Sequence, residues 1–136
     1  MPRYFTLAEA TATLPLVRRI VADITARYPQ WRDLVAHFEL VAAQARPEWG
    51  ESAEQVRLRG EIETVARDIA AFLSELEQVG CVFKSFDQGL VDFYGQMDGR
   101  DIFWCWQVGE ERIEYWHELD AGFAGRKSVL ALTPDT

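Results

Sequence analysis

From Leu14 onward, apolar residues recur at Leu14, Val17, Val21, Ile24, Tyr28, Trp31, Val35, Phe38 and Ala42. The steps alternate three and four without a slip, the spacing of a helix-packing seam. Ile20, Leu34 and Val41 widen that stripe beyond what one partner helix covers. These three are therefore the expected dimer interface, buried when two hairpins pair into a four-helix bundle. Thr6-Leu7-Ala8-Glu9 fits a capping box, which predicts a helical arm over 6–45. Pro15 suits the first turn of a longer helix, and Pro29 is expected to kink it near residues 25–29.

Arg46-Pro47-Glu48-Trp49-Gly50-Glu51 brackets an exposed turn. Ser52 and Gln55 then offer a second capping box, and Leu58, Ile62, Val65, Ile69, Phe72, Leu76 and Val79 form a second seam. Gly80 stands where a left-handed helix terminator belongs, so the second arm is predicted over 52–79. The result is a coiled-coil-like antiparallel hairpin with arms of roughly 40 Å.

After Gly80 the period turns from helical to alternating. Cys81 to Lys84, Leu90 to Tyr94, Ile102 to Val108 and Arg112 to His117 read as strands, and Asp98-Gly99 is a tight-hairpin signal. Residues 81–117 are thus a small antiparallel β-meander of about three to four strands, with 118–136 as a C-terminal loop and tail, frayed from Leu132. Two-residue turns would place Trp104, Trp106, Val108, Ile113, Tyr115 and His117 on one face with Val91 and Phe93. Asp92, Cys105, Gln107, Glu114 and Trp116 would share the other. The aromatic face is expected to cover the root of the hairpin. Tyr28, Trp31, Phe38 and Trp49 add aromatic bulk to its far half, as internal packing or a partner surface. The fold class is α+β.

The chain has 136 residues, enough for a single domain over 1–136. Its formal net charge of −8 disfavours nucleic acid and anionic membrane as partners, and no basic run is longer than Arg126-Lys127. Two cysteines, no apolar leader and no membrane-length apolar run fit a reduced, cytoplasmic protein.

Arg3-Tyr4-Phe5-Thr6, Leu14-Pro15, Gly89-Leu90-Val91-Asp92-Phe93 and Cys105-Trp106 followed by Gly109-Glu110 form one set of motifs with the run from Trp116 to Arg126. Together they resemble the bacterial domain-of-unknown-function family 2203 over nearly the whole chain. The resemblance implies the architecture; it implies no activity.

Trp116 to Arg126 is also the chemically densest stretch, with a histidine, two acids, two glycines and an arginine. His117 and Glu118 are the candidate acid–base catalysts, and Asp92, Asp120 and Arg126 the candidate ligand-binding residues. His117-Glu118 opens like H-E-x-x-H, but the fifth position is Ala121 and the segment is a strand end, so it is no metalloprotease motif. Gly122 to Ser128 likewise lacks the spacing of a phosphate loop.

No metal or other cofactor is expected. The alternative is a divalent cation on His117, Glu118 and Asp120, joined by Asp92, Glu110 or Cys105. Adjacent strand residues 117 and 118 point to opposite faces, which counts against that set. The simpler expectation buries His117 with one ring nitrogen bonded to a carboxylate or carbonyl, pairs Glu118 or Asp120 with Arg126, and leaves Cys105 an inert thiol. The leading functional expectation is a non-enzymatic assembly module that homodimerises through its hairpin. The alternative is a small-molecule or metal-dependent enzyme with a site around Asp92, His117, Glu118, Asp120 and Arg126.

Overall fold

A computed structural model describes residues 2–132. Helix α1 (Leu7–Gln44) and helix α2 (Ala53–Val79) pack as the predicted antiparallel hairpin. Both capping boxes are formed: Thr6 accepts from Glu9 N while Glu9 accepts from Thr6 N, and Ser52 and Gln55 do the same. Gly80, at φ 106°, ends α2 in the left-handed conformation. The arms are unequal, at 38 and 27 residues, so α1 is about 57 Å long and overruns its partner. Pro15 lies inside α1 rather than in a first turn, and α1 continues through Pro29 as one element. A 3-10 turn (Pro47–Trp49) joins the arms, with Trp49 75% exposed.

The sheet has five strands, one or two more than the sequence predicts. They are β1 (Val82–Ser85), β2 (Leu90–Met97), β3 (Arg100–Gln107), β4 (Tyr115–Glu118) and β5 (Lys127–Ser128), in the antiparallel order β1-β2-β3-β4-β5. The unforeseen β5 lies in the segment expected to be loop; two residues are too few for an alternating pattern to register. Asp98 and Gly99 both take positive φ, the mirror-image turn that matches strand twist. Leu132 packs on the core instead of fraying; residues 133–136 of the expected tail lie outside the described residues.

Register decides which side chains meet. Phe93 faces Trp104 and Val91 faces Trp106 across β2–β3, and Trp104 faces Trp116 across β3–β4. Val91, Phe93, Ile102, Trp104, Trp106 and Trp116 therefore share one sheet face. They are buried with Ala10, Leu14, Val17, Ile20, Val21 and Ile24, all from the first half of α1. Ile20 is only 2% exposed, so its surface is spent within the protomer and not left over for a partner. Leu34 and Val41, beyond the reach of the sheet, remain half-buried.

The segment before α1 is fastened to the same face. Phe5 N donates to Tyr94 O at 2.7 Å, and Trp104 Nε1 donates to Phe5 O at 2.8 Å. Gly95 makes room for that indole, since any Cβ there would overlap the Trp104 ring.

Candidate functional site

The face of β4 is opposite to the predicted one. Cys105 pairs with Tyr115 and Phe103 with His117, so Tyr115 and His117 turn away from the tryptophans and Trp116 joins them. The cause is the β3–β4 connection, which is a folded seven-residue segment (108–114) rather than a two-residue turn. Glu110 organises it. Its carboxylate accepts from Gln107 N at 2.7 Å, its carbonyl accepts from Trp106 Nε1 at 2.9 Å, and its amide donates to Gln107 O at 3.0 Å.

The reversed parity gathers three polar residues on the face turned away from α1. Asp92 sits opposite Cys105, and His117 reaches both from β4. Their exposures are 3%, 1% and 2%, and one potential ligand atom from each falls within 4.8 Å of the others. His117 Nε2 stands 3.1 and 3.2 Å from the two Asp92 carboxylate oxygens.

The other ring nitrogen fixes the chemistry. His117 Nδ1 is 2.7 Å from the Glu118 carbonyl oxygen, which can only accept, so Nδ1 carries a proton. In the neutral ring Nε2 is then a bare lone pair aimed at a carboxylate. Such an approach requires a cation between them, either a shared proton or a metal ion. Burial pushes the Asp92 carboxyl above the usual carboxylate range, against the downward pull of His117, Cys105 and Lys84. Burial, helped by Asp92, also pushes the Cys105 thiol up to about 12.

A cavity of about 240 Å³ opens on these residues. Lys84, Ser85 and Gln88 line it on one side and Leu119, Gly122 and Phe123 on the other, with Asp92, Cys105 and His117 as its polar wall. Lys84 Nζ lies 4.7 Å over the Phe103 ring.

The remaining candidates are dispersed. Glu118 points to the other face and pairs with Arg100 at 3.1 Å and Lys127 at 3.8 Å. Asp120 is exposed and forms no ion pair among the described residues. Arg126 does form an internal pair, but with Glu110 at 2.7 Å and not with Glu118 or Asp120. It also donates to Cys105 O at 3.3 Å, lies between the rings of Tyr115 and Phe123, and leaves its buried Nε without a partner. Burial opposes its charge, while the Glu110 bond and the nearby Cys105 outweigh that and raise its pKa. It acts as a strut behind the site.

Sequence reasoning does not bring Cys105 together with Asp92 and His117. The tryptophans flanking Cys105 offer nothing to a thiol, and its partners lie thirteen residues before it and twelve after it. The available signal was parity: Asp92 is a charge in the apolar run Leu90 to Phe93, on the same predicted face as Cys105.

The chain matches the family described as "Uncharacterized conserved protein (DUF2203)" over residues 3–129, and it belongs to that family. No curated protein and no solved structure matches it.

Proposed function

We propose that this DUF2203 domain is a metal-dependent small-molecule enzyme, with Asp92, Cys105 and His117 as ligands to a zinc-class divalent cation. The observation that carries the reading is the buried cluster itself: His117 Nε2 stands 3.1–3.2 Å from the Asp92 carboxylate, Nδ1 is held by a backbone carbonyl, and Cys105 lies beside them. That carbonyl is the usual outer partner of a metal-binding histidine, fixing tautomer and ring orientation. A tetrahedral ion with bonds of about 2.0 Å spaces its nitrogen and oxygen donors about 3.3 Å apart, close to the 3.1–3.2 Å between His117 and Asp92. Thiolate, imidazole and carboxylate together suit zinc, and three protein ligands with one open position are the pattern of catalytic zinc sites. Bound there, the ion would act as a Lewis acid and bring the pKa of a coordinated water to about 7. The cavity gives that position access to a small molecule.

Elemental analysis of natively purified protein tests this. One equivalent of metal per chain is expected, lost in His117→Ala and in the less disruptive Cys105→Ala, with helical circular dichroism retained. A wild-type chain that takes up no zinc, or variants that keep it, would overturn the site.

Assembly through the hairpin is a second reading. It draws on the half-buried Leu34 and Val41, on an open groove lined by Leu34 and Val65 among polar groups, and on the exposed Trp49. A dimeric light-scattering mass, reduced to that of a monomer by Leu34→Glu with Val41→Glu, is its expected result.

A further inference from the structure

We infer that the open metal position takes the oxyanion of a small molecule, a carboxylate or phosphate group, whose charge is matched by Lys84. The inference rests on the metal reading and adds the ligand class. Charge leads to it. A divalent cation with the carboxylate of Asp92, the thiolate of Cys105 and neutral His117 makes a locally uncharged centre. Lys84 is then the one cation among the residues lining the cavity, and it forms no ion pair among the described residues. Its ammonium rests over the Phe103 ring, on the same sheet face as the three ligands. Lys84 is exposed at the mouth of this buried site, where a neutral ligand would make no use of its charge. An oxyanion completes the coordination with one oxygen and meets Lys84 with its remaining charge.

Both rims fit this ligand. Ser85 Oγ accepts from Gln88 N at 3.1 Å, folding the β1–β2 turn so that Lys84, Ser85 and Gln88 line one side. Leu119 and Phe123 make the other side apolar. The cavity, about 240 Å³, is smaller than the ~300 Å³ at which drug-sized pockets begin. The ligand is accordingly a small amphipathic anion and not a polymer. The overall charge of −8 works against anions at long range, which confines recognition to this local contact.

The test uses the full chain loaded with cobalt(II), whose visible absorption reports its coordination. A thiolate-to-cobalt charge-transfer band, present before any anion is added, reports the metal site itself; without it the metal reading falls and this inference with it. With the band present, acetate and inorganic phosphate are titrated separately. A saturable change in the visible bands with at least one of them is expected, and the tighter of the two identifies the group. Lys84→Met should weaken that binding about tenfold or more, as loss of one charge-assisted contact would, and Lys84→Arg should largely preserve it. Bands indifferent to both anions would overturn the assignment to an oxyanion, and equal affinity in Lys84→Met would overturn the charge match on which it rests, while either result leaves the metal site standing.

Discussion

The two faces of the sheet are built from the same strands and are both buried, yet they are opposite in kind. The face toward α1 is a close-packed apolar layer, with Trp104 and Trp106 essentially inaccessible. The face turned away carries Asp92, Cys105 and His117 over a cavity. Successive residues alternate between the faces, so Trp104-Cys105-Trp106 and Trp116-His117 each serve both at once. One layer supplies stability and holds the strands rigid, and the other can then keep polar groups in a fixed, dry arrangement that would be unfavourable on a softer support.

Substitutions on each side should therefore separate fold from metal. Trp104→Ala is expected to cost about 3–5 kcal/mol in chemical denaturation, while the fraction that stays folded binds zinc as before. Equal loss of zinc affinity would mean that the faces are coupled.

The two cysteines sharpen the contrast. Cys81 belongs to the apolar core and Cys105 to the polar face, and burial holds both thiols up at about 12, against an ordinary 9.0. Between those values the unfolded chain releases protons that the folded one retains. Stability is therefore intact below pH 9 and falls as pH rises toward 12, by up to about 1.4 kcal/mol per pH unit for each thiol. Denaturation of metal-free protein across that range should show this slope, and Cys81→Ala should remove part of it. Zinc should abolish the part due to Cys105 alone, because a coordinated thiol is already deprotonated.

The smallest effect is expected at Glu118, next to His117 in sequence but directed to the other face. Glu118→Gln should leave zinc stoichiometry unchanged and cost less than about 1 kcal/mol, as for a partly exposed ion pair. Loss of metal in that variant would contradict the parity on which the site rests.

The hairpin was legible because its signals are local. Caps lie three residues apart, seams repeat at three and four, and Gly80 stops α2 through its own backbone geometry. The Asp98-Gly99 turn was legible for the same reason. The face of His117 was not, because it depends on how residues 108–114 fold, and that is set by Glu110 bonding to Gln107, Trp106 and Arg126. A sequence pattern gives the alternation within a strand but not the phase between two strands joined by a structured connection. Misjudging that phase hid the meeting of Asp92, Cys105 and His117 and assigned Arg126 the wrong acid. Asp92 and His117 stand out in the sequence as candidates, while Cys105 reads only as a supplementary ligand.

The stitch between Phe5 and the sheet has a consequence for how the chain is made. Phe5 leaves the ribosome 99 residues before Trp104, the side chain that anchors its carbonyl. The stretch leading into α1 must therefore wait, undocked, until β2 and β3 have emerged. The helices close through nearby contacts and can assemble early, whereas this long-range fastening is expected to come late. Nascent chains halted before Trp104 should accordingly hold a paired hairpin with its apolar root bare, the state in which a chaperone has most to grip.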